Sequence, residues 1–164
     1  MQAFFDFPTE SFQLRQISRK VKIAVPSVKR YLKELQREGV VLVTKRGLYP
    51  TYKANRENEL FKFYKTTDLL ERMKKSGLVD YIGDACMPDI ISLFGSAARG
   101  EDVETSDIDI FVQSIEKKLN LGKYEKILNR RIALFFEERF SKLSKELKNN
   151  IINGIKLSGY LKAY

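Results

Sequence analysis

The sequence predicts an α+β protein built as two modules, and three observations carry that prediction. Residues 9–53 hold two short helical periodicities followed by two β-branched runs. Later come three short apolar stretches, IISLF, IDIFV and IALFF, each set between polar segments. The net charge of +9 is also unevenly spread. Residues 1–53 carry 11 Lys/Arg against 4 Asp/Glu, residues 90–112 carry 1 against 5, and residues 113–164 carry 12 against 5.

Composition narrows the classes further. With 43% hydrophobic and 12% aromatic residues, a chain of 164 can bury a core, which excludes disorder. The one cysteine, Cys86, excludes a disulfide framework and suits a reducing compartment. The lack of histidine removes the commonest general base and most zinc sites. No apolar run approaches ~18 residues, and MQAFFDFPTE has no basic n-region, so a cytoplasmic protein with no membrane partner is expected. The basic first third points to a polyanion partner. Its bland counterpart is a lysine-rich solvated surface.

In the first module, Leu14, Ile17 and Val21 fall at i, i+3 and i+7. A break follows from Lys22 to Val25, and Pro26 suits the first turn of a helix. The second pattern places Val28, Leu32 and Leu35 on one face and stops at Gly39. Ser27, Lys29, Arg30, Lys33 and Arg37 occupy its other face. VVLVTKRGLYPTY then reads as two strands joined by Lys45-Arg46-Gly47. Two helices, a tight turn and a basic hairpin resemble a winged helix-turn-helix, here the module 1–53. The resemblance implies DNA as a partner, with the second helix in the major groove and the hairpin along the backbone. On that basis Ser27, Lys29, Arg30 and Lys33 are groove contacts, and Lys45 and Arg46 are wing-tip contacts. The chain departs from the family's pattern at Val25, where a capping Ser or Thr is usual, and in QAFFDF, all that stands for a preceding helix. A packing or dimerisation module, giving a homodimer, is the alternative.

Residues 54–77 read as one connecting helix, with Asn55 as its cap and Ser76-Gly77 as its end. Leu60, Phe63 or Tyr64, Leu70 and Met73 form the stripe expected to face a core. Met87-Pro88 marks the entry to the next strand.

Residues 90–95, IISLFG, read as a buried strand closed by a glycine that allows a sharp turn and close approach to a ligand. Ser96 follows, then Ala-Ala-Arg-Gly, which can start a short helix whose free N–H groups suit a phosphate. After ten intervening residues the chain places Asp107 and Asp109 at the start of a β-branched run. Strand side chains alternate, so both carboxylates share a face opposite Ile108, Ile110 and Val112. Like charges so close repel, and a hard divalent cation is the obvious compensation.

GSAARGEDVETSDID, Gly-Ser then ten residues then Asp-x-Asp, resembles the signature of the nucleotidyltransferase superfamily that includes DNA polymerase beta. It is most similar to the minimal nucleotidyltransferases of bacteria and archaea, over residues 78 to 160. The resemblance implies a small domain at 78–164 with a mixed sheet and flanking helices. It implies that Gly95 and Ser96 bind a nucleoside triphosphate, and that Asp107 and Asp109 are catalytic and ligate Mg2+ or Mn2+. Arg99 would neutralise phosphate charge, or else pair with Glu101, Asp102 or Glu104. Ser106 would shape the turn before the strand. The family's third carboxylate belongs on RRIALFFEERF, just after the first apolar residue, but that position is Ala133. Glu137 shares its face only about 13 Å further along. The tail reads as a basic helix bearing Leu143, Leu147 and Ile151, then a closing strand from Ile155 to Tyr160.

Two functions of different classes follow. One is an enzyme that moves a nucleoside monophosphate from a nucleoside triphosphate to a hydroxyl acceptor. The other is a DNA-binding regulator whose transferase-like domain is weak or only senses nucleotide. A third reading joins them: minimal nucleotidyltransferases resemble the antitoxins of toxin–antitoxin pairs, which implies a HEPN-type protein partner.

Overall fold

The structure is a computed structural model describing residues 1–45 and 47–161. The chain divides into two compact units, Met1–Lys65 and Thr66–Tyr164.

The first unit contains α1 (Gln2–Asp6), β1 (Ser11–Gln13), α2 (Leu14–Val21), α3 (Val25–Arg37), β2 (Val41–Thr44), β3 (Thr51–Ala54) and the start of α4 (Glu59–Ser76). A reciprocal Gln13/Gln16 capping box opens α2, with the Gln13 amide donating to Gln16 Oε1 at 2.6 Å. Lys22, at φ 54°, ends it. Pro26 lies in the first turn of α3, whose Val28 and Leu32 pack with Ile17 in the core. The Phe-rich start is a real helix: Phe4 and Phe5 are buried and meet Phe12 and Phe61 at ring distances of 5.9 and 5.7 Å.

The antiparallel sheet runs β1-β3-β2. β1 was not legible, because three residues carry too little alternation to mark a strand. The hairpin connection is longer than the three residues expected. β2 ends at Thr44, β3 resumes opposite it at Thr51, and Pro50 cannot donate to a ladder.

The expected cap of α4 was one turn early. Asn58 Oδ1 accepts from the amides of Leu60 and Phe61 at 2.8 and 3.1 Å. Asn55 instead donates from Nδ2 to the Gly39 carbonyl at 2.8 Å, fastening the end of β3 to the turn after α3. Of the expected stripe, Tyr64, Leu70 and Met73 pack against the hydrophobic cores, and Leu60 and Phe63 do not. Phe61, Leu69 and Met73 are buried, whereas Leu60 and Phe63 are 37% and 63% exposed. Apolar residues sit on several faces of α4, so periodicity alone did not choose among them.

The second unit continues with α5 (Leu78–Cys86), β4 (Ile90–Phe94), α6 (Gly95–Ala98), β5 (Ile108–Val112), α7 (Gly122–Leu128), β6 (Ile132–Phe136), a 3-10 turn at Phe140–Lys142, α8 (Lys145–Ile152) and β7 (Ile155–Gly159). α5 escaped the sequence reading; Gly83 in its middle weakens a helical pattern. The sheet is mixed, in the order β6-β5-β4-β7. β5 and β6 are parallel, joined by a crossover through α7, and the other pairs are antiparallel. One face, with Ile91, Leu93, Ile108, Ile110 and Val112, packs on Met73, Leu78, Ile82, Tyr124 and Leu128. On the other, Ile90, Phe94 and Phe111 pack against Phe140 and Ile151. Among the described residues no helix is long and apolar enough to cross a membrane.

The cap assignment has a specific test. Asn58→Ala should destabilise the protein by about 1 kcal/mol, and Asn58→Gly by only a few tenths, in urea denaturation followed by far-UV circular dichroism. Equal costs for both would remove the cap as the cause.

Candidate functional site

The pairing of β4 with β5 builds the site. Phe94, the last residue of β4, lies opposite Asp109 in the antiparallel register. Gly95 follows at φ +72°, where the chain turns into the single turn of α6. A Cβ placed on Gly95 would lie 2.5 Å from Asp109 Oδ2. The Asp109 carboxylate therefore rests directly on the glycine of the Gly-Ser turn. Two segments ten residues apart in the sequence meet at one point.

The turn is closed by its own backbone: the Ser96 carbonyl accepts from the Arg99 and Glu101 amides at 3.1 and 3.0 Å. Beyond it, Ser106 Oγ accepts from the Val103 amide at 2.9 Å, which is the turn-shaping role expected of Ser106. Asp102 is buried and pairs with the buried Arg130 at 3.8 Å, tying this loop to the approach to β6. With Glu101, Asp102 and Glu104 so close in sequence, nothing marked Asp102 as the buried one. Arg99 donates from Nε to Glu101 Oε2 at 2.7 Å, with both side chains well exposed.

Asp107 immediately precedes β5, and Asp109 is its second residue. Burial first, and then the Asp107 charge, push the Asp109 carboxyl above its ordinary range. In the parallel register Asp109 stands opposite Ala133. The position expected to hold a third carboxylate is thus beside Asp109 and carries a methyl group. Glu137 lies beyond β6, where its Oε1 accepts from the Arg139 amide at 3.1 Å. Among the described residues no cluster of three or more His, Cys, Asp or Glu side chains is placed to hold a metal. The two carboxylates nevertheless fit a magnesium-type ion, which binds through one or two carboxylates and leaves its other positions to substrate phosphates and water.

In the first unit, helical geometry centres Arg30, Lys33 and Arg37 on the face of α3 opposite Val28 and Leu32, and all three are exposed. Lys29 is exposed on one flank of that face, and Ser27 is half-buried on the other. Arg37 therefore has a stronger claim on that surface than Ser27. Arg30 lies over the Tyr31 ring at 5.1 Å. Lys45 is exposed in the hairpin connection, and Arg46 lies outside the described residues. Leu48 and Tyr49, 86% and 61% exposed, also belong to this connection. Charge-based reading passed over them.

A family model described as polymerase beta, nucleotidyltransferase matches residues 78–159, half of the chain. A second, described as winged helix-turn-helix DNA-binding, matches residues 13–41. No curated protein and no solved structure matches.

The Asp109 environment fixes the sign of a pH effect. An acid whose folded-state pKa is raised binds protons more readily in the folded than in the unfolded state. Stability therefore falls as pH rises from the ordinary carboxylate range through the raised value. In buffer containing a chelator, Asp109→Asn should stabilise the second unit at neutral pH and flatten this part of the profile. A variant less stable than wild type at pH 7 would show that Asp109 is held by a favourable partner.

Proposed function

The chain belongs to the polymerase beta nucleotidyltransferase family, and from that premise we propose that it binds a nucleoside triphosphate with Mg2+ or Mn2+ and transfers the nucleoside monophosphate to a hydroxyl acceptor. The observation that carries this reading is the contact between Gly95 and the Asp109 carboxylate, with Asp107 on the same face. Gly95 lets the phosphates approach the backbone, and the Ser96 hydroxyl is a donor to them. Asp107 and Asp109 hold the cation. When bound, the ion neutralises charge on the transferred phosphoryl group. The acceptor hydroxyl loses its proton to solvent, its oxygen forms a bond to the α-phosphorus, the bond from that phosphorus to the bridging oxygen of the β-phosphate breaks, and pyrophosphate leaves.

The winged helix-turn-helix supplies DNA binding, with Lys29, Arg30 and Lys33 toward the groove and Lys45 and Arg46 along the backbone. Ser27, half-buried, is a shorter-reaching contact on the same helix.

A second reading is favoured by Ala133. A domain with two carboxylates suits a DNA-binding regulator or antitoxin that binds nucleotide and transfers slowly, with a HEPN-type protein or a second copy of the chain as its partner. Incubation with magnesium and each labelled nucleoside triphosphate, scoring covalent label transfer, separates the two. Labelled product supports the enzyme, and tight binding without transfer supports the regulator.

Changing Asp107 and Asp109 together to Asn should abolish magnesium-dependent nucleotide binding in calorimetry while leaving the circular dichroism spectrum intact. Unchanged affinity would place the site elsewhere.

Duplex DNA binding should weaken with salt, the logarithmic slope being on the order of −0.9 per neutralised phosphate. Replacing Lys29, Arg30 and Lys33 by Ala should weaken it more than replacing Lys142, Lys145 and Lys148. Equal losses would reduce the interaction to nonspecific attraction.

A further inference from the structure

This inference rests on the nucleotide-binding reading above and concerns a residue that reading does not use. The Ile108 amide donates to the Arg131 carbonyl at 2.8 Å, so the peptide preceding Ile132 is part of the β5/β6 ladder. Alternation along a strand then puts Arg131 on the face of Ala133, and the parallel register makes that the face of Asp107 and Asp109. Neighbouring strands lie ~4.8 Å apart. Arg131 thus flanks Asp107 as Ala133 flanks Asp109.

Two nearby arginines are already engaged. Arg99 is paired with Glu101 and Arg130 with the buried Asp102. Arg131 is exposed and forms no ion pair among the described residues. This end of the sheet therefore presents two carboxylates and one guanidinium, where an acid at position 133 would have given three carboxylates. Two divalent ions beside two carboxylates and a fixed cation would repel strongly. One divalent ion and a guanidinium match a polyphosphate well. A guanidinium is always charged and grips phosphate oxygens in a two-pronged geometry.

We propose that the site takes one divalent cation with the nucleoside triphosphate, and that Arg131 supplies the second positive charge by binding the polyphosphate directly. Ala133 and Arg131 are then two parts of a single arrangement. The methyl group removes a second ion's ligand, and the guanidinium takes over the charge that ion would have brought.

The test uses the full chain with Mn2+ and a non-hydrolysable nucleoside triphosphate analogue. Bound Mn2+ is counted by electron paramagnetic resonance, and analogue affinity is measured by calorimetry. The expected count is one ion per wild-type chain, rising to two in Ala133→Asp. Arg131→Gln should weaken analogue binding by roughly ten- to a hundredfold without changing the count, and Arg131→Lys, which keeps the charge but not the two-pronged grip, should recover only part of the loss. Two ions per wild-type chain would overturn the proposal while leaving the nucleotidyltransferase reading intact. So would an Arg131→Gln variant with wild-type affinity. No Mn2+-dependent analogue binding to the wild type at all would overturn both.

Discussion

Asp109 sits where a carboxylate is costly. Half-buried at the edge of the Phe94 and Phe111 face, it has Asp107 as a like-charged neighbour and a glycine beneath its oxygens. Everything around it keeps it there. The β4/β5 register sets it opposite Phe94, the positive φ of Gly95 clears the space, and the Asp102–Arg130 pair holds the intervening loop. A fold does not gain from crowding two acids in this way. A divalent cation held by the two carboxylates would offset that cost.

Much of that was legible beforehand, because it rests on local rules. Alternation alone put Asp107 and Asp109 on one face, and the apolar run IISLF marked a strand that is in fact buried throughout. The position of Ala133 was an expectation from the family resemblance rather than from alternation, and the register pairs it with Asp109. Pro26 and the Val28/Leu32 stripe marked α3 by local pattern.

The misreadings share a cause: each depended on tertiary contact rather than local pattern. Asn55 and Asn58 are equally good caps in sequence, and only the chain's return past Gly39 engages one of them elsewhere. Phe61 and Phe63 are equally apolar, and only the aromatic cluster with Phe5 selects the first. β1 exists because β3 offers it an edge. Asp102 is buried because Arg130, far along the chain, meets it. The two functional modules differ in the same way. The acidic site is fixed by strand geometry, whereas the basic face of α3 depends on helical phase, which moved Arg37 toward its centre and Ser27 away from it.

The central claim is that Asp107 and Asp109, the latter resting on Gly95, form a nucleotide-bound cation site. The most direct measurement is a crystal structure of the chain grown with Mn2+ and a non-hydrolysable nucleoside triphosphate, read from the anomalous signal of manganese. The expected result is a peak within ligand distance, about 2.2 Å, of Asp107 and Asp109 oxygens, with the triphosphate against Gly95 and Ser96. Nucleotide and manganese bound together at any other place, with Asp107 and Asp109 free of both, would contradict it.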